Sequence, residues 1–244
     1  DRWAKRAEAI AASGVDGAFI WAFFKPNFGS TSGEVFQHFW WEPTEEVEDV
    51  LQKLANRIAG KEAGVELRKA WSYVSRAIDY SPVMDDYLSG PMYLGPAYPM
   101  CADPSQKLPD GFYGVFASPR TTGVFASRIE GEELFKDYYG KMEQSLCKAV
   151  DCIEKAKKYV PKDYQLDFEA ESISIRWLYH TARTAANFYR SCILRDRIHK
   201  FVSYKSKADK QVTEDYYKWK EILIDERQNA IEALPLMKKD LSLF

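Results

Sequence analysis

The sequence predicts a mainly α-helical protein: a helical bundle preceded by a terminal α/β unit and interrupted by a long, ordered, aromatic- and proline-rich loop. Three observations predict it. Apolar residues recur at helical spacing over most of residues 44–80 and 131–242, the single continuous apolar run "GAFIWAFF" reads as a fully buried strand, and residues 81–128 follow neither period.

The first element is a helix over residues 2–13, with Trp3, Ala7, Ile10 and Ala11 on one face and Gly14 as its stop. The strand follows at residues 17–24. A strand buried on both faces needs neighbours, because an unpaired buried peptide group costs on the order of 1–3 kcal/mol. No later segment offers a partner, so the strand is expected to complete a sheet supplied from elsewhere. Residues 1–43 are therefore expected to be the last α/β repeat, with its loop, of an upstream barrel-like domain in the same parent protein. Residues 44–244 then form a helical domain.

Within that domain Thr44 is the expected cap of a helix whose first turn carries Glu45 and Glu46 and whose stripe is Val47, Val50, Leu51, Leu54 and Ile58, closed by Gly60. A second helix bears Leu67, Ala70, Trp71, Val74 and Ile78 and ends before Pro82, so the two should pair as a hairpin. Residues 81–128 hold seven of the eleven prolines, five glycines and seven aromatics, a composition that fits an irregular loop ordered by packing on an apolar surface. Three long helices complete the chain, at about residues 131–159, 164–203 and 209–242. Their predicted stripes include Leu134, Tyr138, Met142, Leu146, Val150 and Ile153 in the first. The second offers Trp177 and Phe188, and the third Val212, Tyr216, Trp219, Leu223 and Ile231. Pro235 is expected to kink or break the last.

Composition narrows the function classes. With 34 Lys and Arg against 36 Asp and Glu the formal net charge is −2, and no segment concentrates basic residues, so no nucleic-acid partner is expected. No apolar run reaches the roughly 18–20 residues of a membrane span, so no membrane partner is expected either. Cys101, Cys147, Cys152 and Cys192 form no C-x-x-C pair and read as thiols rather than metal ligands or disulfides. Motifs for phosphate loops, dinucleotide sites and hydrolase elbows are missing, and no cofactor is expected.

The chemistry-bearing stretch is "KPNFGSTSGEVFQHFWWEP", the loop expected after the strand. In βα barrels the site lies on such loops. Trp40 and Trp41 offer flat faces for sugar rings, and Glu34, His38 and Glu42 offer hydrogen-bonding or acid–base groups. Glu34 and Glu42 are the candidate catalytic carboxylates. The expected carbohydrate-binding set is Trp21, His38, Trp40 and Trp41, faced by Tyr93, Tyr98 and Tyr113 from the long loop. The alternative is that Trp40 and Trp41 simply pack the helical bundle onto the barrel. Glu34 and His38, four apart, lack the third ligand a metal would need, so no metal site is expected. His180 and His199 read as structural. Thr184 and Asn187 stand in the otherwise apolar stretch "YHTARTAANFYRSCILRD" beside Arg176, Arg183 and Arg190, either facing a ligand or, as preferred, joining helices by hydrogen bonds.

The succession of "GVDGAFIWAFF", a loop ending in "WWEP", and "TEEVEDVLQKLANRIAG" followed by a helix with a central Trp resembles the C-terminal end of multidomain bacterial glycoside hydrolases. In these, as in α-glucuronidases and hexosaminidase-like enzymes, the last strand of a TIM barrel runs into a helical domain. The resemblance covers residues 1–80. It implies a carbohydrate-active hydrolase whose catalytic carboxylates lie on earlier strands, with this chain supplying substrate-lining aromatics and helical support. The competing expectation is a non-catalytic helical protein-interaction module.

Overall fold

The computed structural model describes residues 1–16, 30–41, 45–81, 91–100, 102–103, 129–203 and 210–239. Among these residues every regular element is helical, and the protein is mainly α. The expected strand at 17–24 and most of the loop 81–128 lie outside the described residues. The elements are α1 (Arg2–Ala12), α2 (Thr31–Trp41), α3 (Val47–Ala59), α4 (Lys61–Asp79), a single turn α5 (Pro91–Leu94), α6 (Ile129–Ala156), a 3₁₀ turn (Lys162–Tyr164), α7 (Gln165–Ser203) and α8 (Lys210–Lys239). No described helix is long and apolar enough to cross a membrane.

The chain gathers into two compact units, one of Asp1–Ser75 with Asp151–Glu169 and the other of Arg76–Val150 with Ala170–Phe244. Helices α4, α6 and α7 each contribute residues to both.

In the first unit α1 ends where expected, at Gly14 with φ +74°. The stretch expected to be a loop contains α2 instead. Ser30 starts it, accepting the Gly33 amide on its hydroxyl at 3.2 Å, and Val35, Phe36 and Phe39 recur at helical spacing to bury one face. Phe36 meets Trp3 of α1 edge-on at 5.8 Å. Helix α3 begins at Val47, with Glu46 in the capping position and Glu48 and Asp49 in its first turn, so the cap is not at Thr44. Of the expected stripe Val50, Leu51, Leu54 and Ile58 are buried, while Val47 at the helix start is only part-buried.

The α3–α4 hairpin depends on two glycines. Gly60 has φ +81°, and a Cβ there would lie 2.9 Å from Pro161 Cδ. A Cβ on Gly64 would lie 2.9 Å from the Asn56 Cα, so α4 can approach α3 this closely only without a side chain. Arg68 then ties three elements. It is 7% exposed. Its guanidinium grips Glu48 at both oxygens (3.1 and 2.6 Å), reaches Asp1 Oδ1 at 2.7 Å and donates to Ser72 Oγ at 2.7 Å.

In the second unit the sequence register of α6 is corrected by one residue at its start. Phe135, Tyr139, Met142, Leu146 and Ala149 are buried, whereas Leu134 and Tyr138 are exposed. The alternation of three and four residues converges with the expected stripe only from Met142 on. Helix α7 is central: from Thr181 to Ile193 only Arg183 and Arg190 escape burial. Phe188 (1% exposed) and Trp219 (2%) are core residues as expected, but Trp71 and Trp177 are only half-buried. The face that α8 buries comprises Asp215, Trp219, Glu226, Asn229, Ala233 and Leu236, while the expected stripe members Tyr216 and Ile231 are exposed. Pro235 does not end α8, which runs on to Lys239. Cys152 and Cys192 are buried thiols, Cys147 is an exposed one, and Cys101 lies outside the described residues.

Gly14 and Gly60, both at positive φ, separate conformational strain from steric overlap, because Gly14 has nothing within 4 Å of its would-be Cβ. Gly14→Ala should cost about 1 kcal/mol from φ alone. Gly60→Ala, which adds the overlap with Pro161, should cost roughly 2–3 kcal/mol. Urea denaturation of the two variants checks the difference.

Candidate functional site

The sequence-predicted residues fall apart into separate roles. Glu34 pairs with Arg57 at 2.5 Å, on the exposed side of α2. His38 sets its ring edge against Phe39 at 5.1 Å and lies 3.7 Å from Glu45. Trp40 stacks on Phe36, one turn earlier in α2, at 6.1 Å, whereas Trp41 is 74% exposed. Tyr98 is a core residue of the second unit, 4% exposed with its ring against Phe188 at 4.9 Å. Trp21, Glu42 and Tyr113 lie outside the described residues, as does the side chain of Tyr93, whose backbone belongs to α5.

The densest concentration of polar chemistry is in the second unit, around Thr184 and Asn187. Because α7 is buried nearly all round from Thr181 to Ile193, any polar side chain in that stretch must find partners inside the protein or lose the free energy of desolvation. The partners are Glu226 and Asn229 of α8, which bury a polar face in place of an apolar one. Thr184 donates its hydroxyl to Glu226 Oε1 at 2.5 Å and accepts the Asn229 amide at 2.9 Å and the Ala97 backbone N–H at 3.3 Å. Asn187 donates to Glu226 Oε2 at 3.1 Å and to Asp225 Oδ2 at 2.7 Å. Asn229 also donates to the His180 carbonyl at 3.0 Å. Its Oδ1 therefore faces the His180 ring at 2.8 Å, which requires the proton on Nδ1 of that histidine.

The segment after α5 closes this network. Gly95, at φ +85°, lies on the Trp177 indole, where a Cβ would be 3.1 Å from the ring. Ala97, at φ +68°, is the one non-glycine residue with positive φ among those described, and its strained backbone aims an amide at Thr184.

Outside the buried set, a groove of about 690 Å³ runs along α6, α7 and α8. Arg183 and Arg190, the two exceptions to the burial of α7, line it. Arg183 holds Asp225 through two bonds, one of them Nε–Oδ2 at 3.1 Å, and reaches Glu232 at 3.0 Å. Arg190 donates to Glu143 at 3.1 Å and Asn187 at 3.3 Å, in space left by Gly140 of α6. Burial pushes the Glu143 carboxyl up, with Arg190 opposing it. Burial also acts to raise Asp225, but the hydrogen bonds from Arg183 and Asn187 outweigh it and hold this carboxyl below its usual value. Glu226 is pushed up by burial against the pull of its donors, and His180 is pushed down by burial. The set can bind and orient polar groups. Among the described residues no three His, Cys, Asp or Glu side chains stand close enough to hold a metal ion.

Thr184, Asn187 and the flanking arginines were legible as a polar cluster. Glu226, Asn229, Asp225 and Glu143 were not, although the signal exists: Thr184–Asn187 and Glu226–Asn229 are matching pairs three residues apart on successive helices.

Comparison with protein-family models, curated proteins and solved structures finds no match for the chain. The fold and site define it as a mainly α-helical protein with a buried interhelical polar network and an adjoining charged groove.

Removing the Glu226 carboxylate takes the acceptor from the buried Thr184 hydroxyl and from one N–H of the Asn187 amide. Glu226→Ala should therefore lower stability by about 2–4 kcal/mol, measured by chemical denaturation. Asp225 answers to pH. Its folded pKa is depressed, so its stabilisation is present above the ordinary aspartate value of 3.8 and is lost as pH falls through the lower folded value. Asp225 is 43% exposed on its side chain, which limits the effect to on the order of 0.5–1 kcal/mol. The melting-temperature gap between the protein and Asp225→Asn should be full at neutral pH and close in acid below that value.

Proposed function

We propose that this chain is the C-terminal portion of a carbohydrate-active hydrolase, supplying a sugar-stacking aromatic and a helical support domain rather than the catalytic pair. The observation that carries the reading is the division of labour on α2. Phe36 and Phe39 are buried, Trp40 stacks on Phe36, and Trp41 alone among the aromatics of the helix turns a large face to solvent, with 74% of its surface exposed. An indole left open at a helix end is a stacking platform for a sugar ring, worth on the order of 1 kcal/mol. The ion pair of Glu34 with Arg57 supports a non-catalytic role for that carboxylate. Glycoside hydrolysis needs two carboxyl groups about 5–9.5 Å apart across the scissile bond. On this reading an upstream domain of the parent protein supplies them.

The alternative, a protein-interaction module, draws on a different observation. Tyr217, Ile224, Ile231 and Leu234 are exposed along one side of α8 at spacings of seven, seven and three. A shift of the chain to higher oligomers that Ile224→Lys abolishes would favour it.

The purified chain should release no nitrophenol from aryl glycosides. It should bind neutral oligosaccharides with quenching of tryptophan fluorescence, and Trp41→Ala should weaken that binding roughly fivefold. Turnover by the chain alone, or binding indifferent to Trp41, overturns the proposal.

A further inference from the structure

We infer that the groove along α6, α7 and α8 of the second unit is itself a binding site for a neutral polyhydroxylated ligand, seated between Glu143, Arg190 and Tyr179. The inference rests on the carbohydrate reading only for its choice of probe. The chemistry comes from the groove wall.

Five cationic side chains line the groove against four carboxylates; Lys136, Arg183, Arg190 and Arg197 are in ion pairs, and Lys218 and Glu221 add one charge of each sign. Arg183 is spent on Asp225 and Glu232, while Lys136 and Arg197 both turn to Glu133. A free anion entering here would meet carboxylates beside every guanidinium, and a cation the reverse, so net charge selects neither. What remains unspent is specific. Arg190 engages only Glu143 Oε2 and Asn187 Oδ1, so among the described residues Glu143 Oε1 has no hydrogen-bond partner and Arg190 Nε–H has no acceptor. The Tyr179 hydroxyl has no hydrogen-bond partner among the described residues either, and its half-buried side chain lines the same groove.

An acceptor and a donor on one ion pair are matched by a group that both gives and takes hydrogen bonds. A vicinal diol does this: one hydroxyl donates to Glu143 Oε1 while its neighbour accepts from Arg190. A planar ring and the flanks of Ile193, Leu194 and Ile222 complete a surface suited to the C–H face of a sugar. Because Glu143 and Arg190 reach the groove from different helices, the site exists only in the folded unit.

The test is calorimetric titration of the full chain with neutral cello-, xylo- and chito-oligosaccharides, with a neutral glycine tripeptide amide as the non-sugar control. Three variants are compared: Glu143→Ala, Tyr179→Ala, and Leu194→Trp, which fills the groove without removing a polar group. Their thermal melting reports whether each is folded. One of the oligosaccharides should bind at millimolar concentration or tighter, and each folded groove variant should weaken it about tenfold. Three results overturn the inference: no binding of any oligosaccharide, tripeptide binding in their place, or affinity unchanged in Leu194→Trp and in one other folded variant. Trp41→Ala separates the two proposals. Loss with Trp41→Ala but not with the groove variants leaves the α2 reading standing and removes the groove, and the opposite pattern does the reverse.

Discussion

The burial of one carboxylate, Glu226, organises the second unit. A charged group in a helix interface is tolerated only where its oxygens are surrounded by donors, and here Thr184, Asn187, Asn229 and the Ala97 amide supply them. Each donor imposes a constraint of its own. Thr184 and Asn187 fix the rotation of α7, Asn229 fixes α8 and the tautomer of His180, and Ala97 holds the segment after α5 in a conformation an alanine does not choose by itself. The network thus sets the register of two long helices where apolar packing, tolerant of sliding, would specify it less sharply.

The first unit meets the same requirement with the opposite charge. Arg68 is the buried ion, and Glu48, Asp1 and Ser72 satisfy its guanidinium. In the same unit α3 and α4 are drawn together at Gly64. Here a bidentate guanidinium fixes orientation, because its planar fork accepts a carboxylate in one geometry only.

The groove follows from how the polar network ends. Asn187 bridges the buried Glu226 and the rim residue Asp225, so the interior bonding continues outward into the ion pairs of Arg183 and Arg190. The rim is therefore preorganised by the core. Binding groups held by such second contacts lose little freedom on meeting a ligand, which is the physical condition for a polar groove to recognise neutral hydroxyls against water.

By itself the sequence determined the fold class and the positions of the long helices, because amphipathic spacing and the breakers at Gly14, Gly60 and Pro161 act locally, over one or two turns. It also singled out Thr184 and Asn187, since polar residues in an apolar helical stretch stand out without reference to any partner. Tertiary structure alone decided which face of α8 is buried: the apolar pattern pointed to Tyr216 and Ile231, but Glu226 and Asn229 turn inward because donors on α7 await them. The same holds for α2, where a loop was expected and Val35, Phe36 and Phe39 instead bury one face of a helix, Phe36 against Trp3 of α1. A periodicity rule weighs each residue alone, whereas the free energy of burying a polar group depends on partners forty residues away, and only the fold brings those together.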